Sequence, residues 1–314
     1  MGELELLKEK TRTLDIRFNP NHGKDGKFAP KGGAGGGGLY AGKAGRNYGA
    51  ADTSDALREV KNGTHNSLEK YMDANGNLTP ERQALHKQII DNYLAGKTPV
   101  KGQAEMVMMG GGPASGKSSV IKSGQADLPA EKNTVKVDPD DIKNQLPGYS
   151  DMALKDDKAA SFYHEESSML AKQLANVSFD ENFNVVYDGT GDGSEGSVMK
   201  KINGARNKGY KVNAVYVTVD TDEAIVRNQE RYDRGVKKGE NPRKVPEDYV
   251  KDCHAKVSNI SMACADKFDN IKVYDNNGPE GSKPVLIATG GNGKKLSAVP
   301  GKEYEFGKYV NKGK

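Results

Sequence analysis

Residues Gly111-Gly112-Pro113-Ala114-Ser115-Gly116-Lys117-Ser118 match the pattern GxxxxGK[ST], and the six residues before them, Glu105 to Gly110, read EMVMMG. An apolar run that ends in glycines and leads into a helix is the strand–loop–helix setting in which this pattern carries chemistry. Glycines let the backbone wrap closely, so that successive N–H groups face a phosphate, and the helix that follows adds the positive end of its dipole. In such a loop Lys117 reaches the β- and γ-phosphates, the Ser118 hydroxyl binds Mg²⁺, and Ser119 continues the cradle. A chain with 38 glycines produces partial matches by chance. The apolar strand leading in and the helix leading out separate this match from those. The stretch Gly111–Ser119 therefore implies a nucleoside triphosphate, ATP or GTP, with Mg²⁺ as cofactor.

Outward from the loop, strand and helix patterns alternate. Runs rich in β-branched and apolar residues occur at 133–138, 182–190, 211–220 and 270–276, and PVLIATG (284–290) reads as one added edge strand. Helical periodicity fills the gaps at about 158–177, 196–209, 221–235 and 246–265. Continuous apolar strands alternating with helices predict an α/β fold, a doubly wound parallel sheet covered on both faces. Upstream, Thr79 as N-cap, Pro80 at the first position and Gly96 as a stop bound a helix carrying Leu85, Ile89 and Tyr93.

The ends of the chain differ in kind. Only 35% of the residues are hydrophobic and the mean hydropathy is −0.77, so part of the length is expected to lack a packed core. Residues 1–18 could form a short amphipathic helix, and Asn19 to Ala50, rich in Gly, Lys and Ala, reads as a flexible linker. The expected division is 1–52 as a disordered or linker segment, 53–100 as a helical lead-in, 101–276 as the nucleotide-binding domain and 277–314 as a flexible Gly/Lys-rich tail. The net charge is +4, with its basic surplus in the two tails and a slightly acidic middle. That argues against a large nucleic-acid-binding face on the core, which needs clustered Lys and Arg, and leaves nonspecific contact by the tails. Cys253 and Cys264 suggest neither a disulfide framework nor a zinc site. No run approaches the ~18 apolar residues of a membrane span, and MGELELLKEK lacks the apolar core of a signal peptide. A cytoplasmic protein is expected.

Phosphoryl transfer needs a carboxylate near the acceptor and cations along the phosphate, and parallel sheets place such groups at strand C-terminal ends. Val137-Asp138-Pro139-Asp140-Asp141 ends one strand. One of its aspartates is expected to cap the following helix and another, Asp138 or Asp140, to act at the site. Tyr187-Asp188-Gly189-Thr190 ends the next, where Asp188 could hold Mg²⁺ through water or bind the acceptor. Arg227, Arg231 and Arg234 share one helix face. The run Arg234 to Arg243, with Gly235, Gly239 and Pro242, looks like a mobile lid over the nucleotide. Tyr163-His164-Glu165-Glu166-Ser167 opens a long helix and could bind the acceptor through Glu166. Asp73-Ala74-Asn75-Gly76-Asn77 begins like a calcium loop, but the twelfth position falls on Ala84, so a turn is expected.

Taken in order, GGGPASGKSS, VDPDDIK, HEESS, VVYDGTG, NQERYDRG and RKVPEDYV resemble the zeta toxin family of P-loop kinases over about Leu78 to Asn276. The resemblance implies a P-loop kinase fold and phosphorylation of the 3′-hydroxyl of UDP-N-acetylglucosamine with ATP or GTP. It implies Lys117 as the phosphate-loop lysine and Asp140 as the base that activates the acceptor hydroxyl. Arg231 and Arg243 would clamp the nucleotide phosphates. Asp188 stands where the family commonly has Glu, and Thr190 occupies a substrate-contacting position. Gly189-Thr190-Gly191-Asp192 departs from the family's GTGR, replacing a basic acceptor contact with an acid. The resemblance also implies an antitoxin or immunity protein as partner. NPNHGKDGKFAPKGG (19–33) resembles linkers in phage head and portal-associated proteins, which suggests a phage or prophage origin. Three functions remain open from sequence: a kinase acting on a nucleotide sugar or similar small hydroxyl compound, a polynucleotide or RNA-end kinase, and a phage particle component that binds nucleotide.

Overall fold

The computed structural model describes residues 42–156, 158–238, 245–279 and 281–313. The expected helix at 1–18, most of the expected linker, the phage-like stretch 19–33 and the second half of the expected lid (239–243), Arg243 included, lie outside the described residues. Two compact units divide the chain: residues up to Ala95 with Pro139–Leu174, and Gly96–Asp138 with Ala175–Lys314.

The second unit is a sheet of seven strands: β1 (Glu105–Gly110), β2 (Thr134–Val137), β3 (Asn184–Asp188), β4 (Lys211–Thr218), β5 (Asn270–Asp275), β6 (Val285–Gly291) and β7 (Lys294–Ala298). Their order is β2-β3-β1-β4-β5-β6-β7. The first five run parallel, and β6 and β7 are antiparallel additions. Met106 to Met109 are all buried, as a strand covered on both faces requires. Val107, Met109, Val186, Val215 and Val217 pack with Val120 from the helix Lys117–Lys122, so the core lies directly beneath the phosphate loop. Register places Met109 opposite Asp188 and Gly110 opposite Tyr216. The Tyr216 ring would lie 2.3 Å from any Cβ at position 110.

The C-terminal stretch differs from the expected flexible tail with one edge strand. β6 is interior to the sheet, because β7 pairs on its far side, and a helix follows at Glu303–Val310. Tyr309 is 1% exposed; its carbonyl accepts from Ser258 Oγ at 2.6 Å, and its hydroxyl lies 2.5 Å from Ser261 Oγ. Three of the tail lysines make contacts within the unit: Lys308 pairs with Asp220 at 2.8 Å, Lys295 with Asp266 at 3.2 Å, and Lys312 donates to the Val219 carbonyl. Composition underestimated this segment because Leu296 and Tyr309 are buried against the rest of the unit, a term that Gly and Lys content does not register.

The first unit is helical, with helices at Ser54–Lys61, Pro80–Leu94, Pro139–Lys143, Tyr149–Ala153 and Ala159–Phe162 and the opening of the helix His164–Asp180. Thr79 Oγ1 accepts from Arg82 N at 3.3 Å, the expected N-cap. Leu85, Ile89, Ile90 and Leu94 are buried, together with Arg82 and His86. The calcium-like stretch is a turn: Asp73 Oδ1 accepts from the backbone N–H of Asn75 and of Asn77, both at 2.8 Å.

Candidate functional site

β1 delivers the chain into the loop at Gly111, whose N–H donates to the Thr190 carbonyl at 2.7 Å. The loop backbone demands unusual angles. Gly116 sits at φ +87° and Ala114 at φ +59°, the left-handed region that costs a residue with a Cβ roughly 1–2 kcal/mol. Lys117 opens the helix Lys117–Lys122, and its ammonium donates to the Gly111 carbonyl at 2.9 Å. Burial lowers the Lys117 pKa, and the charges of Asp188 and Asp138 act against that shift.

A cleft of about 1280 Å³ opens over the loop, lined among others by Lys117, Ser118, Asp188, Arg227, Arg231 and Arg234. Arg227, Arg231 and Arg234, which their spacing put on one helix face, line one cavity with the phosphate loop. Arg227 bonds Glu223 at 2.8 Å and the Asn276 carbonyl at 3.0 Å. Arg231 reaches Asn228 Oδ1 at 3.3 Å.

Asp188 and Asp138 share a cation, with Lys136 Nζ 3.1 Å from Asp188 and 2.9 Å from Asp138. The Thr190 hydroxyl donates to Asp192 Oδ1, and Asp192 Oδ2 accepts from the Cys253 thiol at 3.5 Å. Burial, followed by the Asp192 charge and hydrogen bond, pushes Cys253 up to about 12, so this thiol stays protonated. The acid at the position where a basic contact was expected is thus held by two neutral donors. Both cysteines are free and buried.

In the helical unit, Asp140 lies in the first turn of Pro139–Lys143. Its side chain is 84% exposed and pairs with the buried Lys143 at 2.8 Å. Glu166 requires a correction. It is fully buried, and its oxygens accept from Arg82 Nε at 2.6 Å, Arg82 Nη2 at 2.8 Å, His86 Nε2 at 2.7 Å and Ser67 Oγ at 2.5 Å. Such a carboxylate has no oxygen left for a substrate. Its work is to hold the Pro80–Leu94 helix and the Ser67 segment to its own helix.

Oxygen donors suited to Mg²⁺, the Ser118 hydroxyl and the Asp188 carboxylate, line the same cleft. Among the described residues no group of three acidic, His or Cys side chains converges as a metal site. That donor set fits an ion that takes most of its ligands from phosphate and water and one or two from protein.

Two residues at the loop were not anticipated. Asn276 Nδ2 donates to the Ser115 carbonyl at 3.1 Å, and His254 Nε2 lies 2.9 Å from the Pro113 carbonyl. Asn276 follows directly on β5, so the strand-end rule could have found it. His254, on the buried face of Glu247–Cys264, carries no sequence signal that separates it from core.

A family model described as Zeta toxin matches residues 90–280, more than half of the chain. Among solved structures, the chain is similar to one described as a characterization of the PezAT chromosomal toxin-antitoxin system of the human pathogen Streptococcus pneumoniae. The identity is 18% and the TM-score 0.51, over 64% of this chain and 80% of that one. It is also similar to the AvrRxo1-ORF1:-ORF2 structure with ATP, at 17% identity and TM-score 0.51 over 75% of this chain and 74% of that one. The form of that complex with sulphate ions gives 16% and 0.52 over 87% and 81%. At these identities the likeness is one of fold, and the fold is that of a P-loop kinase. No curated protein matches the chain.

Proposed function

The chain belongs to the zeta toxin family, and from that premise we propose that it transfers the γ-phosphoryl group of ATP or GTP to a hydroxyl of a small molecule. The observation that carries the reading is the single cleft lined by the phosphate loop, Lys117, Asp188 and three arginines. The Lys117 ammonium gives up the Gly111 carbonyl for the β- and γ-phosphate oxygens. Arg231 faces the negative charge of the transferring group, with Arg227 and Arg234 on the same helix face, and Arg243 belongs with them as the second clamp. Bound Mg²⁺ would neutralise phosphate charge; Ser118 would hold it directly and Asp188 directly or through water. Asp140, exposed and acidic, takes the proton of the acceptor hydroxyl, as a general base must.

The acceptor we propose is a nucleotide sugar of the UDP-N-acetylglucosamine type, with Asp138, Asp188 and Thr190 as its contacts. Asp192, in place of a basic residue, favours the sugar side of such a molecule over its diphosphate. An antitoxin or immunity protein is the proposed partner, in keeping with the toxin-antitoxin description of the PezAT structure. We place the activity in the cytoplasm. Among the described residues no helix is long and apolar enough to cross a membrane.

The test is transfer of labelled γ-phosphate from Mg·ATP and Mg·GTP to UDP-sugars, nucleosides and RNA ends, with Lys117→Ala and Asp140→Ala as controls. Transfer to a UDP-sugar that both substitutions abolish supports the proposal. Transfer to RNA ends alone replaces the acceptor, and no transfer to any acceptor overturns the kinase reading.

A further inference from the structure

Every second carbonyl of the phosphate loop is held by a side chain: Gly111 by Lys117, Pro113 by His254 and Ser115 by Asn276. Lys117 is the donor that a phosphate would recruit. The other two come from outside the loop, from the helix Glu247–Cys264 and from the residue after β5. Both are buried, His254 at 3% and Asn276 at 8% exposure. They also leave no slack. A Cβ at Gly112 would lie 2.3 Å from His254 Cδ2, and one at Gly116 would lie 1.9 Å from Asn276 Nδ2.

Resting on the proposed nucleotide site, we infer that His254 and Asn276 are positioning residues that fix the Pro113 and Ser115 carbonyls and so set the loop N–H groups for triphosphate before it binds. A peptide unit whose carbonyl is pinned cannot rotate its N–H out of line, so nucleotide binding meets a cradle already ordered. Asn276 does more than hold the loop. Its N–H donates to Thr218 O at 2.8 Å, and its carbonyl accepts from Arg227 at 3.0 Å. One residue therefore ties the loop, the end of β4 and the arginine helix together. Since the Pro113 carbonyl only accepts, His254 Nε2 carries the proton. Burial draws the ring down to about 4, so it is neutral near pH 7 and adds no second positive charge beside Lys117.

The experiment is an equilibrium titration of the full chain with a fluorescent ATP analogue and Mg²⁺, with melting temperature measured with and without nucleotide. His254→Ala should weaken binding about five- to tenfold, the loss of one hydrogen bond, and Asn276→Asp, near-isosteric and lacking the donor, by more, since its carboxylate also repels the triphosphate. His254→Gln, whose amide can donate to the same carbonyl, should return to within about twofold of the unaltered chain. Asn276→Asp and His254→Gln keep the test usable if His254→Ala fails to fold. Variants that melt lower yet bind nucleotide as the unaltered chain does overturn the inference, as does failure of His254→Gln to restore binding. An unaltered chain with no saturable binding overturns the nucleotide site itself.

Discussion

Two clusters in this chain use the same chemistry to opposite ends. In the helical unit, Glu166 meets Arg82, His86 and Ser67 at 2.5–2.8 Å with no exposure. In the sheet unit, Lys117 and Arg231 line an open cleft and hold a backbone carbonyl and an amide oxygen. The first cluster supplies its own counter-charge and is closed. The second leaves cations on weak neutral acceptors, which a phosphate oxygen can replace with a stronger, charge-assisted bond. Charged residue types alone do not distinguish a strut from a site. What distinguishes them is whether the chain itself completes the pairing.

The sharpest way to break this comparison is to open the closed cluster. Glu166→Ala leaves the Arg82 guanidinium buried and unpaired and should cost about 3–5 kcal/mol of stability in denaturant melts, with nucleotide affinity of the folded protein retained. A loss of substrate affinity without loss of stability would return Glu166 to the acceptor site. Lys117→Ala should do the reverse, lowering transfer about 100- to 1000-fold with little change in melting temperature. Arg231→Ala should lower kcat/KM by about ten- to a hundredfold in the same assay.

Acid titration acts on both clusters. Burial alone would raise Glu166, but hydrogen bonds from His86 and Arg82 and the Arg82 charge outweigh it and hold the carboxyl at about 2, against 4.5 for the free group. Its folded pKa is depressed, so its stabilisation is complete above 4.5 and lost as pH falls toward 2. His254, depressed by burial from 6.5 to about 4, likewise favours the fold fully above 6.5 and loses that contribution as pH falls toward 4. Melting temperature against pH should therefore decline in both windows. His254→Gln should lessen the decline in the upper window, to which His86, also depressed by burial, contributes, and Glu166→Gln should flatten the lower. The smallest effect concerns the shared cation. Lys136→Met removes a positive charge 3.1 Å from Asp188 and should lower the Mg²⁺ needed for half-maximal transfer by about fivefold.

Much of the sheet unit was legible because its signals are local. Met106 to Met109 is apolar on both faces, and the glycines and lysine after it fix the loop chemistry. Arg227, Arg231 and Arg234 were legible from helical spacing. Glu166 was misread because its partners are Ser67, Arg82 and His86, 80 or more residues away in sequence. No local pattern tells an acid in such a cluster from one facing solvent. His254 hid for the same reason, since it touches the loop 141 positions earlier. The C-terminal hairpin and helix were missed because their few apolar residues are buried by tertiary packing that composition cannot weigh.

The most direct test of the central claim is a titration of the unaltered chain and of Lys117→Ala with a non-hydrolysable ATP analogue in Mg²⁺. The account predicts saturable binding at one site per chain, weakened about 100-fold or more by the substitution while the melting temperature holds. Absence of saturable binding, or equal affinity in the two proteins, would contradict it.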